Sequence, residues 1–175
     1  GILYTSGTTG PSKGVIYGFG HAYATAAPLA AHLGPDDVFY MFLPMFHTGL
    51  PHVFGTVVIS GGTLAIREKF STSEFWSDVR HFGATSTLLI STMPAYLMTA
   101  PPDPRDREHG FGTIFMTPLL KDLDAFKGRF GCDRIITLFN MTEASTPLIS
   151  TADLVNTASC GRPRRTFARR PSPST

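Results

Sequence analysis

The sequence predicts an α/β fold, and three observations predict it. Strand-like and helix-like segments alternate along most of the 175 residues, the order that builds sheets covered by helices. Glycine or proline closes one segment after another, at Gly34-Pro35, Gly61-Gly62, Gly83 and Pro101-Pro102, where a chain leaves helix or strand with least strain. Apolar residues make up 42% of the chain and charged residues 16%, which is enough apolar surface to form a core and too little charge for a disordered body.

In chain order, Ile2–Thr5 reads as a short buried strand that runs into a Gly/Ser/Thr loop at Ser6–Gly14. His21–Leu33 is Ala-rich and helical. Val38–Leu43 reads as a strand, followed by a turn at Pro44, a helix across Gly49–Ser60 and a strand at Thr63–Ile66. Ser73 is placed as the N-cap of a helix that continues through Trp76, Val79 and Arg80 to His81. Thr85–Ile90 is β-branched enough for a buried strand, Met93–Thr99 is a short helix, and Asp103–His109 is a charged loop. Ile114–Met116 (strand), Leu119–Phe130 (helix) and Arg134–Phe139 (strand) complete the alternation, with no internal repeat.

The net charge of +2 hides a division. Arg162, Arg164, Arg165, Arg169 and Arg170 lie in the last stretch, and all 13 acidic residues lie before it, so the body to Gly161 carries a net −3. That excludes a basic nucleic-acid surface on the body. Cys132 and Cys160 are too few for a disulfide scaffold and lack metal-ligand spacing, so they read as reduced thiols of a cytoplasmic protein. No apolar run is long enough to span a bilayer. The chain begins at Gly1 directly on an apolar run, from which an N-terminal region ahead of it is expected. Residues 1–161 are read as one partial domain. Residues 162–175, rich in Arg, Pro and Ser, have no apolar periodicity and are expected to be disordered; a solvated linker, a basic arm and an out-of-frame translation all fit them.

Chemistry concentrates first at Tyr4-Thr5-Ser6-Gly7-Thr8-Thr9-Gly10-Pro11-Ser12-Lys13-Gly14. Glycines that tolerate positive φ let consecutive N–H groups face one anion. The hydroxyls of Thr5, Ser6, Thr8 and Thr9 can donate to phosphate oxygens, and Lys13 adds a mobile positive charge. It is a polyphosphate cradle other than the Walker A loop, because Ser12 stands where the second glycine belongs and Gly14 replaces Ser/Thr. Two later strings are weaker alone: Leu43-Pro44-Met45-Phe46-His47-Thr48-Gly49, and Phe139-Asn140-Met141-Thr142-Glu143. His47 by itself reads more often as a hydrogen-bonded core residue, and Thr142-Glu143 alone as a helix start with an acid in its first turn.

The eleven-residue loop resembles the signature of the adenylate-forming superfamily: acyl-CoA synthetases, luciferases and peptide-synthetase adenylation domains. The later strings resemble that family's Pro-x-x-His turn and its Tyr-Gly-x-Thr-Glu motif, in the expected order. Lys69-Phe70-Ser71, Phe75-Trp76, Gly83-Ala84-Thr85, Met93-Pro94 and Phe115-Met116-Thr117-Pro118-Leu119, the last in place of an adenine-side loop, are similar to the crotonobetaine/carnitine–CoA ligase type. The resemblance covers about Gly1 to Pro163. It implies the central fragment of the large N-terminal domain of an adenylate-forming enzyme, with mixed sheets flanked by helices. It implies ATP and Mg²⁺ as cofactors, coenzyme A as co-substrate and a small carboxylic acid as substrate. The implied nucleotide-binding residues are Thr5, Ser6, Gly7, Thr8, Thr9, Gly10, Lys13, Asn140, Met141 and Thr142. His47 is expected at the acyl side, Thr142 at the α-phosphate and Glu143 on the metal. The sequence departs from the family at Phe139-Asn140, where Tyr-Gly is usual, and Asn140 is expected to supply the turn that Gly would. An adenylation module that loads a carrier protein and a non-catalytic nucleotide-binding remnant are the competing expectations, with self-association through exposed apolar surface.

Overall fold

In the computed structural model of the protein, residues 1–5, 10–47, 50–132, 134–150 and 158–164 are described. The elements are β1 (Ile2–Thr5), β2 (Lys13–Ile16), α1 (Phe19–Ala30), β3 (Val38–Met41), a π-helical turn (Leu50–Phe54) that runs into α2 (Gly55–Ser60), β4 (Thr63–Ile66), α3 (Phe75–Phe82), β5 (Ser86–Ile90), α4 (Met93–Thr99), β6 (Thr113–Thr117), α5 (Leu123–Phe130), β7 (Ile135–Ile136), β8 (Leu138–Met141), β9 (Ser145–Ile149) and β10 (Arg162–Pro163).

The centre is a five-stranded parallel sheet of order β4-β3-β5-β6-β7. Its middle strands are buried at consecutive positions rather than alternate ones, the pattern of strands covered on both faces. Leu89, Ile114, Phe115 and Met116 are fully buried there. Beside the sheet, Tyr40, Phe42, Phe70, Phe75, Trp76 and Phe130 form a layer of edge-on, tilted and stacked rings. Tyr40 is buried and donates its hydroxyl to Asp78 at 2.6 Å, and Asp78 pairs with Arg67. Burial pushes the phenol well above its ordinary range, and the Asp78 carboxylate adds to this. A second, antiparallel sheet has the order β10-β9-β8, and β1 and β2 form a separate antiparallel pair.

Several expectations are corrected. β1 forms where expected, but Ile2 and Tyr4 remain 60% and 69% exposed, because only β2 pairs with it. The loop after β1 ends before Lys13, since Lys13 and Gly14 pair with Thr5 and Tyr4. The N-cap of α3 is Glu74, without a side-chain cap, and the Ser73 hydroxyl instead meets that of Ser71 at 3.2 Å. α5 starts at Leu123 rather than Leu119, because Asp122 caps it by accepting from the Ala125 N–H at 2.9 Å. Asp106, in the expected charged loop, is buried and bound to Arg129 at 2.8 Å. Arg134–Phe139 divides at Thr137: Ile135 and Ile136 join the parallel sheet, and Leu138 opens the antiparallel one. β9 and β10 are additions to the expected order. Arg162 and Pro163 pair with Ile149 and Leu148, and Arg164 donates to the Ala24 carbonyl at 2.7 Å. Residues 165–175 lie outside the described residues.

Among the described residues, no helix is long and apolar enough to cross a membrane. Two stability predictions follow from the core. Phe115→Ala empties a site at the middle of the parallel sheet and should lower unfolding free energy by about 3–5 kcal/mol, read by denaturant titration. His109 Nε2 faces the Phe130 carbonyl at 2.7 Å, and its Nδ1 accepts from the Phe111 N–H at 3.2 Å. Burial depresses its pKa from 6.5. The unfolded chain therefore binds the proton more readily, and the stability owed to the neutral ring is present above about pH 6.5 and lost as pH falls through the folded value. The melting temperature should drop on acidification below about pH 6.5, and His109→Gln should flatten that drop.

Candidate functional site

A cavity of about 370 Å³ opens where strands of both sheets end. Leu43 and Pro44, just past β3, Leu88 and Ile90 of β5, and Thr117 of β6 supply one side. Leu138, Phe139 and Asn140 of β8 supply another, and His47 and His52 complete the described lining. This is the carboxyl edge of a parallel sheet, where the connecting loops of α/β folds gather around ligands. The lining is mostly apolar with a few polar groups, the character of a small-molecule pocket.

The arrangement follows from local sequence. The backbone N–H of His47 bonds the Pro44 carbonyl at 3.2 Å, so Leu43–His47 turns sharply at the end of β3 and presents His47 to the cavity. Thr117 Oγ1 donates to the Leu138 carbonyl at 2.9 Å and draws β8 against the end of β6. Thr137 N–H donates to Ser150 Oγ at 2.9 Å, which fixes the point where the chain passes from one sheet to the other.

The structure therefore brings His47 together with Phe139 and Asn140, although the two strings are far apart in sequence. Met141, Thr142 and Glu143 follow directly: Met141 ends β8, and Thr142–Ala144 turn into β9. Glu143 is exposed and Thr142 half-buried. Thr5 and Lys13 face each other on the separate β1–β2 pair, Gly10 is exposed between those strands, and none of the three is among the described residues of the cavity wall. Ser6, Gly7, Thr8 and Thr9, and Thr48 and Gly49 of the His47 string, lie outside the described residues.

Asn140 does not supply a left-handed turn. It sits within β8 beside an irregularity in the β8–β9 register. The positive φ near this turn belongs to Ser145, at 57°. Asn140 instead uses its side chain, donating from Nδ2 to the Ser145 carbonyl at 2.8 Å and to Thr146 Oγ1 at 3.2 Å. Phe115 and Met116, part of the string expected on the adenine side, are fully buried in β6, and only from Thr117 onward does that segment reach the cavity. His52 and Thr146 are functional candidates that sequence reasoning missed. His52 is buried among Val53 and Val57 in an apolar helical run, and no spacing rule marks one histidine there.

A metal site was also expected. Among the described residues, no group of three or more His, Cys, Asp or Glu side chains is gathered. The exposed Glu143 carboxylate is a hard oxygen donor, which suits a small cation that keeps most of its waters rather than one enclosed by protein.

A two-sheet α/β scaffold with a mostly apolar cavity at the strand ends defines the class of small-molecule-binding domains. The chain belongs to the AMP-binding enzyme family, whose model matches residues 1–168. It is similar to the crotonobetaine/carnitine–CoA ligase of Salmonella paratyphi C (strain RKS4594), with 36% identity over 155 residues that cover 85% of this chain and 29% of that protein. It is also similar to long-chain fatty acid transport protein 2 of Rattus norvegicus, with 34% identity over 82% of this chain and 24% of that protein. Among solved structures, O-succinylbenzoate coenzyme A synthetase from Bacillus subtilis, in complex with ATP and magnesium ion, superposes with a TM-score of 0.75 at 27% identity, over 93% of this chain and 35% of that one. The fold is that of a central fragment of the large N-terminal domain of adenylate-forming enzymes. The chain spans less than a third of the length of these curated relatives.

Proposed function

We propose that the polypeptide carrying this chain is an AMP-forming acid–thiol ligase, which activates a carboxylic acid with ATP and passes the acyl group to coenzyme A. The observation that carries the reading is the cavity that joins His47 to Phe139-Asn140 in a chain of the AMP-binding enzyme family. In the first step a carboxylate oxygen attacks the α-phosphorus of ATP, the bond to the bridging oxygen breaks, and pyrophosphate leaves. In the second, a thiol sulfur attacks the acyl carbonyl, AMP departs, and the thiol proton passes to solvent.

The chain's own residues would hold and orient these reactants, which is the main protein contribution to phosphoryl chemistry. Thr5, Ser6, Gly7, Thr8, Thr9, Gly10 and Lys13 are proposed to cradle the β- and γ-phosphates. Asn140, Met141 and Thr142 would lie along the adenylate, with Thr142 at the α-phosphate. Glu143 would hold Mg²⁺, which neutralises charge on the phosphates when bound. His47 would border the acyl group, and the apolar walls of Leu43, Leu88, Ile90 and Leu138 favour an acid with a modest hydrocarbon portion. The curated relatives named for coenzyme A ligation favour coenzyme A over a carrier protein as acceptor. Two cysteines, Cys132 and Cys160, in 175 residues suit a reducing compartment such as the cytoplasm.

The test is acid-dependent exchange of labelled pyrophosphate into ATP, run over a panel of short and medium carboxylic acids. Exchange should require Mg²⁺ and one acid class, and thioester should form only when coenzyme A is added. Glu143→Gln should cut exchange by about a hundredfold, and an unchanged rate would remove Glu143 from the metal. Lys13→Ala should raise the KM for ATP more than it lowers kcat. Nucleotide binding with no exchange for any acid would support a binding remnant instead.

A further inference from the structure

Asn140 occupies a place where the family's pattern has glycine, so its amide is an addition that the surrounding structure has to hold. Its Nδ2 reaches Thr146 Oγ1 at 3.2 Å. Thr146 is fully buried, and a hydroxyl has one proton and two lone pairs. The Thr25 carbonyl, 3.0 Å away, can only accept, so the Thr146 proton points to α1. Both lone pairs then face donors. One receives the Asn140 amide, and the other receives His52 Nε2 at 3.3 Å. The imidazole consequently carries a proton on Nε2. His52 is 5% exposed and also lines the cavity.

We propose that His52 is a positioning residue: through the shared Thr146 hydroxyl it fixes Asn140 and hence the β8–β9 turn that bears Thr142 and Glu143. One side chain thereby joins the cavity wall to the turn. Three elements distant in sequence meet at the hydroxyl: α1 through the Thr25 carbonyl, the π-helical turn through His52, and the β8–β9 pair through Asn140. The hydroxyl of Thr25 extends the same junction, bonding the His21 carbonyl at 2.9 Å and receiving the Tyr17 hydroxyl at 2.7 Å. Loss of the His52 donor leaves one Thr146 lone pair unfilled in a buried site and frees Asn140 to move along the hydroxyl. The identity of the ligand bound by the turn rests on the proposed function; the junction itself does not.

The experiment compares the full chain with His52→Gln, His52→Leu and Thr146→Val, by ¹⁵N NMR and by calorimetric titration with AMP. Gln can place an amide N–H where Nε2 stands, whereas Leu fills the space without a donor. His52→Leu and Thr146→Val should both shift the Asn140 side-chain amide and the backbone signals of Thr142 and Glu143, and weaken AMP binding by about three- to tenfold. His52→Gln should keep those signals and that affinity close to the parent. The proposal is overturned if His52→Leu leaves these signals in place, or if Gln and Leu disturb them equally, which would reduce His52 to filling space. Should His52→Leu fail to fold, His52→Gln is read against Thr146→Val, and an equal disturbance by both overturns the proposal. If the parent chain binds no AMP, the nucleotide reading fails while the NMR comparison continues to decide the junction.

Discussion

Parallel strands cannot be joined by a tight turn, and most of this architecture descends from that constraint. Each return to the same end of the sheet needs a crossover long enough to cross the face, and here α2, α3, α4 and α5 lie in or beside those returns. The crossovers bury both faces of the sheet, which is why β5 and β6 are apolar at consecutive positions. They also deliver the outgoing end of every strand to one edge. Leu43, Ile90 and Thr117 come from segments separated by tens of residues, yet each leaves its strand at that edge and meets the others around the cavity.

The second sheet closes this edge. β8 runs on from β7 after the single residue Thr137, so the direction in which the chain leaves the parallel sheet sets where Phe139 and Asn140 stand. Polar groups hold the join: the Thr117 hydroxyl on the Leu138 carbonyl and Ser150 Oγ on the Thr137 N–H. Buried polar atoms are costly unless paired, and pairing these spends the hydroxyls of Thr117 and Ser150 on geometry. Behind the sheet, Tyr40, Asp78 and Arg67 do the same for α3, tying its polar side to a buried strand residue.

Legibility in the sequence followed the range of the forces involved. Met93–Thr99 and Thr63–Ile66 are delimited by their own residues, by Pro94 at a helix start and by glycine before a strand, and both agree with the structure. The α/β class was legible for the same reason. Arg134–Phe139 reads as one strand because its apolar residues are continuous, and nothing local says that Ile136 and Leu138 pair with different partners. β9 begins with Ser145-Thr146-Pro147, whose pairing with β8 is a tertiary fact. At the site, the three strings and their order are visible in the sequence, and the cavity unites two of them. The walls are not visible: Leu88, Ile90 and Leu138 look like any buried apolar residue until the fold directs them to the same space. Asn140 was legible as a departure from the family but not in its use, since a side-chain bond across an irregular hairpin leaves no sequence pattern.

The one-residue passage at Thr137 makes the two sheets behave as two boards joined along a stiff seam. Widening the cavity by swinging β8 away from β6 would have to break the Thr117–Leu138 bond, which crosses that seam. Room for a bulkier guest must therefore come from the third wall, at His47, which stands on a connection rather than on a strand, since His52 is buried and tied to the Thr146 hydroxyl. The pocket thus has anchored jaws at the seam and at the Thr146 hydroxyl, and changes of guest in such a scaffold are expected to be written at Pro44 and His47, which belong to neither anchor.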